Sequence, residues 1–365
     1  MTNRLALTIL ALFAAPLGSC SPLALPAGAR GVAPQAPSSE RPAARAERVV
    51  LVTLDGVRWQ EMFGGVDPDL AEEAKLPRRA VVPSETLLPN VYRLFFDQGA
   101  VVGHPDHGAA FNASGPVFVS LPAYMEMMSG APSVCLGNDC DEAQTWSLLE
   151  EVREQTGVPS GGVAAVASWE KIAQAAVTRP DSVWIDAGRK EGDAAPAWPG
   201  SGPYRPDHYT APRALAYFAA ERPRLLWVSL GDADEYAHRG DYRGYLDAIR
   251  FADAFLGELA ATLDELGEAE RTAIYVTTDH GRDGNFRDHG RRASQRVWLL
   301  ARGAGVAARG PVALSEPRYL RDLAPTVLAH LGLSAPGCDG CGAVLAELSE
   351  PPSTGAVVPG RAAAP

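Results

Sequence analysis

Positive charge is scarce in this 365-residue sequence: Lys and Arg number 33 against 44 Asp and Glu, a formal net charge of -11. Such a surface repels nucleic-acid phosphates unless a local basic patch compensates, and the sequence holds no such patch, so nucleic-acid scaffolding is set aside. Long apolar runs are lacking too. Apart from residues 5–17, no run approaches the roughly 20 residues needed to cross a bilayer. Cysteine is sparse, five in all, which excludes a small disulfide-stapled module. What remains is ordinary: 46% hydrophobic and 21% charged residues, enough to bury a sizeable core and unlike a disordered chain.

The first residues read as a signal. Arg4 supplies a positive start, and the short apolar stretch after it ends in small residues. Leu17-Gly18-Ser19-Cys20 then resembles the lipobox of bacterial lipoproteins, in which cleavage before the Cys exposes it for lipidation. The resemblance implies a signal peptide over residues 1–19 and a membrane anchor on Cys20. With Ser21 next, it implies an exported protein of the bacterial outer membrane, facing the periplasm or the surface. Residues 20–47 are rich in Pro, Ala, Ser and Arg and suit a disordered tether. The other four cysteines form two close pairs, Cys135 with Cys140 and Cys338 with Cys341. Export favours local disulfides, with a four-thiolate zinc site as the alternative. The second pair opens a Pro-, Gly- and Ala-rich tail, residues 336–365.

Between tether and tail, residues 48–335 read as one catalytic domain. The run 48–54 is continuously aliphatic and β-branched, the pattern of a strand buried on both faces. Similar runs recur at 162–166, 225–230, 272–278 and 297–301, and several of the intervening segments have helical periodicity. That alternation predicts an α/β fold: a doubly wound, mostly parallel sheet with helices on both faces. The clearest helix spans 242–266, where Tyr245, Ile249, Ala252, Leu256, Leu259 and Leu263 share one face. A last helix over 320–331 has an early Pro325, and His330 on it reads as structural.

Ligands of parallel sheets bind beyond the carboxyl ends of the strands. Asp55 follows the first run, Asp232, Asp234 and His238 follow the third, and Asp279 and His280 follow the fourth, with His289 a short loop later. Ser120 follows the apolar Phe118-Val119 and precedes a helix predicted over 123–129. Singly, each Asp reads as a cap or turn residue. Together, carboxylates and imidazoles at one sheet edge can hold two divalent cations. Asp234 and His238, four apart, share a helix face, whereas Asp232 points elsewhere. His104 and His107 lack this setting and remain substrate-pocket candidates.

Leu54-Asp55-Gly56, Ser120-Leu121-Pro122-Ala123-Tyr124, Asp234-Glu235-Tyr236-Ala237-His238, Thr278-Asp279-His280-Gly281, Asp288-His289-Gly290 and Asp322-Leu323-Ala324-Pro325-Thr326 occur in this order. In these segments the sequence resembles the alkaline phosphatase superfamily, in its nucleotide pyrophosphatase/phosphodiesterase-like branch. The resemblance implies one metal held by Asp234, His238 and His289, and a second held by Asp55, Asp279, His280 and the oxygen of a nucleophilic Ser120. Zinc suits that donor set best, and manganese or iron is also accepted by mixed N/O sites. The implied activity is hydrolysis of a small phosphate ester, a diester above all, through a phosphoserine. Asn138 corresponds loosely to an Asn that binds a phosphate oxygen.

The sequence also departs from relatives. Nucleotide-binding members clamp the base with aromatics, for which Phe63, Tyr124, Trp146 and Trp169 are available. A sulfatase of the same superfamily needs Arg where Tyr124 stands. Phosphoryl transfer to an acceptor other than water, phosphonate hydrolysis, or a metal-binding surface lipoprotein without turnover, shares the ligands. Ser120 also suits a helix N-cap, and Arg58 reads as a surface salt-bridge residue.

Overall fold

The computed structural model describes residues 45–140, 146–190, 193 and 202–349. The signal, the lipidation site Cys20, most of the tether and the end of the tail lie outside them. Strand β1 (Arg48–Leu54) runs through the middle of the main sheet. The other strands are β2 (Gly99–Val102), β3 (Phe111–Asn112), β4 (Val163–Ala167), β5 (Trp184–Ala187), β6 (Leu225–Leu230), β7 (Thr272–Thr277), β8 (Arg296–Val297), β9 (Leu299–Gly303), β10 (Gly310–Pro311) and β11 (Arg318–Tyr319). Eight form one sheet in the order β10-β2-β9-β7-β1-β6-β4-β5, and β11-β3-β8 form a small second sheet.

The period of two along each central strand splits its side chains between two buried layers. Val49 and Leu51 of β1, Leu225 and Trp227 of β6, and Ala273 and Tyr275 of β7 enter one core. Val50, Val52, Leu226, Val228, Ile274 and Val276 enter the other. Helices cover both. The first core takes helix Ser120–Ser129, helix Leu148–Thr156 and helix Leu323–His330, and the second takes the long helix Tyr242–Glu265. The expected doubly wound α/β sheet is what forms. Among the described residues, no helix is long and apolar enough to cross a membrane.

Two expectations need correction. The run 297–301 is not one strand: β8 lies in the small sheet and β9 in the main one, with the buried Trp298 at the break. Its indole N–H donates to the carbonyl of Val57 at 2.9 Å, and it shares a buried layer with Leu300 while Val297, Leu299 and Ala301 enter the other, so the alternation runs through the break. β9 then runs antiparallel to both β7 and β2, the single reversal in an otherwise parallel sheet. Arg58, secondly, is not on the surface. It is buried, with Nε donating to Glu61 Oε2 at 2.8 Å and Nη2 paired with Glu61 and, at 3.1 Å, with Asp67. The hydroxyls of Tyr242 and Tyr245 also donate to Glu61, at 2.9 and 3.3 Å.

Both expected disulfides are formed, Cys135–Cys140 and Cys338–Cys341. Packing continues past residue 335, since Leu345 and Leu348 are fully buried. His330 is buried as a structural residue, bonded to the Tyr275 hydroxyl.

Truncating Glu61 would strand a buried guanidinium, the costly way to break a buried pair. Glu61→Ala is expected to lower unfolding free energy by about 3–5 kcal/mol in denaturant titrations. A loss under about 1 kcal/mol would mean that the Arg58 pair behaves as a solvated one.

Candidate metal centre and active site

β7, β1 and β6 are neighbours in the sheet, so their carboxyl ends open side by side, spaced by about 4.8 Å per strand. Asp55 leaves β1, helix Asp232–His238 begins one residue after β6, and Asp279 and His280 follow β7. Ser120 is the first residue of the helix Ser120–Ser129. It is not the N-cap that its sequence suggested: Val119 occupies that position, with no side-chain cap bond. The Ser120 hydroxyl lies instead 3.2 Å from His280 Nε2 and 3.5 Å from Asp55 Oδ1.

All the expected ligands come together. Asp55, Asp279 and His280 form one group able to hold a metal, and Asp234, His280 and His289 a second, which overlap at His280. His238 joins the second group, its Nε2 lying 3.0 Å from Asp234 Oδ2 and 3.2 Å from His289 Nε2. Two nitrogens on one tetrahedral zinc, each about 2.0–2.1 Å from it, stand roughly 3.3 Å apart, so this spacing fits a shared cation. Backbone carbonyls fix the tautomers. His280 Nδ1 donates to the carbonyl of Gly281 at 2.8 Å, and His289 Nδ1 to that of Phe118 at 3.0 Å. Each Nε2 lone pair is thereby turned into the centre.

The electrostatics ask for cations. Burial, reinforced by Asp279, holds the Asp55 carboxyl well above the usual range, and burial with Asp234 raises that of Asp279 to about 6. Burial lowers His280 and His289 to about 4, the second with help from His280, so both rings are neutral at pH 7. Oδ2 of Asp279 is buried without a hydrogen bond, 3.2 Å from His280 Nε2. An unpaired buried carboxylate oxygen beside neutral imidazoles is a donor set that fits a divalent metal.

Three supporting roles escaped the sequence reading. Arg282, whose side chain is fully buried, pairs with Asp234 Oδ1 and reaches back to the carbonyls of Phe286 and Arg287 at 2.5 and 2.7 Å. Burial alone would raise the Asp234 carboxyl, but this guanidinium, with His238 and His289, holds it well below the usual range. The only available signal was an Arg directly after Asp279-His280-Gly281. Gly56 adopts φ +63, and a Cβ there would meet Asp234 Oδ1 at 2.5 Å. Tyr124, considered as a base clamp, is instead fully buried with its hydroxyl donating to Asp55 Oδ2 at 2.8 Å.

The remaining candidates separate clearly. Asp232 does point elsewhere: its Oδ1 accepts from the Tyr204 hydroxyl at 2.8 Å and from the Asp207 N–H at 3.0 Å. Asn138 sits beside Ser120 in the loop closed by Cys135–Cys140, its Oδ1 accepting from the Leu121 N–H at 2.9 Å. Trp169 and Glu235 line the same cleft. His104 and Phe63 pack on each other with ring centroids 4.8 Å apart, and neither they nor His107 line the cleft.

The sequence model of the Metalloenzyme superfamily matches residues 211–335, the stretch holding Asp234, His238, Asp279, His280 and His289. Phosphopentomutase of Methylobacterium sp. (strain 4-46) is 40% identical over 127 residues, 34% of this chain and 29% of that protein. The aligned stretch thus spans less than a third of the curated relatives it matches. Among solved structures, wild-type alkaline phosphatase PafA superposes with a TM-score of 0.56 at 10% identity, covering 84% of this chain and 99% of that one. The 2-O GAG sulfatase BT1596 gives 0.56 at 12% identity, covering 82% and 73%. The chain thus has the fold of these alkaline phosphatase-like structures, and its residues 211–335 match the Metalloenzyme superfamily by sequence.

Asp232 supplies a control for the ligand assignment. Burial, with Asp207 beside it, raises its carboxyl from the ordinary 3.8 to about 8. The folded state therefore keeps a proton that the unfolded chain releases, so this contribution to stability falls as pH rises from about 4 toward 8. Asp232→Asn is expected to flatten that decline in denaturant titrations and to retain its bound metal, whereas Asp55→Ala loses metal. Equal metal loss in the two variants would show that Asp232 belongs among the ligands.

Proposed function

We propose that this chain is a two-metal hydrolase of phosphate esters, acting on phosphodiesters through a phosphoserine on Ser120. The observation that carries the reading is the placement of Ser120: a buried hydroxyl, released from helix capping, within 3.5 Å of ligands from both β1 and β7. A structural metal site has no use for it. Two divalent cations held by Asp234, His238 and His289 and by Asp55, Asp279, His280 and Ser120, zinc on this donor set, would activate the hydroxyl and neutralise phosphoryl charge.

Ser120 Oγ then forms a bond to phosphorus as the ester oxygen leaves with its alcohol, and water later cleaves the Ser120–phosphoryl bond. The Asn138 amide, held beside Ser120 by its bond to Leu121, would meet a non-bridging phosphate oxygen. Tyr124 orients Asp55, and Arg282 keeps Asp234 ionised. The diester preference is supported by the cleft itself, which among the described residues has no Lys or Arg in its lining. Arg282 and Arg58 are committed to Asp234 and Glu61. The second charge of a monoester finds no partner there. Tyr124 in place of the sulfatase Arg, its hydroxyl engaged by Asp55, supports phosphoryl over sulfuryl chemistry.

Acid quenching during turnover of a chromogenic diester should yield a phosphopeptide containing Ser120. Ser120→Ala should lower kcat/KM by at least about a thousandfold while metal content stays. Wild-type turnover in that variant would make water the direct nucleophile, and faster hydrolysis of a matched monoester would remove the diester preference.

We further infer from Leu17 to Cys20 that the protein is exported and anchored to the outer membrane by lipid on Cys20. Mass spectrometry of native protein should find a diacylglyceryl Cys20 at the N-terminus. An unmodified chain beginning elsewhere would refute the anchor.

A further inference from the structure

Helix Asp232–His238 presents Asp234 and His238 to the metal centre, and little in its own sequence holds it there. Its seven residues fall below the roughly 12–15 at which an isolated helix becomes even marginal in water. Its N-cap is Gly231, which has no side chain with which to accept an N–H of the first turn. The surroundings enforce that glycine, since a Cβ there would meet the Tyr204 hydroxyl at 2.9 Å.

The missing acceptor comes from 24 residues earlier. Asp207 is buried, and its carboxylate accepts from the Gly231 N–H at 2.8 Å on Oδ1 and from the Asp232 N–H at 3.0 Å on Oδ2. A carboxylate at that end also complements the helix dipole. It is itself anchored to the sheet, because the Ser168 hydroxyl, just past β4, donates to Oδ1 at 2.6 Å. Ser168 is fixed in turn by its own N–H on the Ser229 carbonyl of β6 at 2.9 Å and by the Arg205 N–H on its carbonyl at 2.8 Å. Asp207 also opens helix Asp207–Glu221, and its N–H returns to Asp232 Oδ1 at 3.0 Å. The first residue of each helix thus caps the other.

The ligands of the second metal stand differently. Asp55 follows β1 directly, and Asp279 and His280 follow β7 within three residues, so central strands place them. We propose that Asp207 is a positioning residue for one metal of the pair, the cation held by Asp234, His238 and His289, because it fixes the start of the helix that carries two of those ligands. The inference rests on the two-metal reading above and adds a residue outside the cleft that sets the affinity of one site and not of the other.

Zinc binding by the full chain, read by elemental analysis over a series of chelator-buffered free zinc concentrations, tests this without turnover. The wild type is expected to bind two ions. Asp207→Ala should hold one with wild-type affinity and the other about 10–100-fold more weakly. Asp207→Asn, which keeps one acceptor oxygen, should recover part of that loss, and Ser168→Ala should weaken the same ion by less. Asp232→Asn alters the other member of this buried pair and should leave both affinities in place. On a His289→Ala background, Asp207→Ala should weaken the remaining ion no further, since both substitutions act on one site. If Asp207→Ala does not fold, Asp207→Asn and Ser168→Ala carry the same comparison. Equal weakening of both ions would reduce Asp207 to a general structural role, and wild-type affinity for both would show that the helix is held without it; either result overturns the proposal. Fewer than two ions on the wild type would overturn the two-metal reading beneath it.

Discussion

Three carboxylates confined at the ends of three adjacent strands are the constraint around which this molecule is arranged. Asp55, Asp234 and Asp279 are buried to 9% exposure or less, and carboxylates so placed repel one another through a medium that screens poorly. The chain itself answers one of the three, by driving Arg282 into contact with Asp234. The other two are left basic, with their carboxyls raised and the imidazoles beside them neutral. Such a site is destabilising alone and stabilised by cations, so metal affinity and folding are linked here through the same charges.

Much of the surrounding structure holds that arrangement in place. Hydrogen bonds from Tyr124 to Asp55 and from the Gly56 N–H to Asp279 aim the carboxylates, and carbonyls of Gly281 and Phe118 orient the imidazoles. These partners come from different segments, yet each is tied to the sheet or to a helix packed on it. Arg282 has a second effect. By bonding the carbonyls of Phe286 and Arg287 it orders the loop that returns His289 to the centre, so one guanidinium both balances a charge and sets a ligand.

The sheet and the cluster of candidate ligands were legible because each leaves a local mark. β1, β6 and β7 are continuous apolar runs, and the ligand motifs follow them directly, so strand and site announce each other. The long helix Tyr242–Glu265 was visible in its three-and-four spacing. What escaped depends on partners far along the chain. Nothing near Arg58 states that Glu61, Tyr242 and Tyr245 will gather around it, and no local pattern marks Arg282 as the counter-charge of Asp234, 48 residues earlier. β2 and β5 have four residues each, too short for a periodic signal. The break at Trp298 is hidden because a strand switching sheets keeps the same apolar composition.

Fold and ligands define a class of chemistry and leave the substrate to residues that neither of them requires. A metal pair would hold a phosphoryl group equally well whatever alcohol it carries, since those contacts end at the phosphate oxygens. Discrimination must come from the cleft wall, whose side chains differ in how far the fold commits them. Tyr204 is engaged there with Asp232, and Asn138 holds the start of the Ser120 helix within the Cys135–Cys140 loop. Glu235, next to Asp234 on the same short helix, makes no side-chain hydrogen bond among the described residues and lies in the field of His238 and Arg239. A charge next to the candidate ligands but outside their set is where selectivity can be adjusted without disturbing the proposed chemistry.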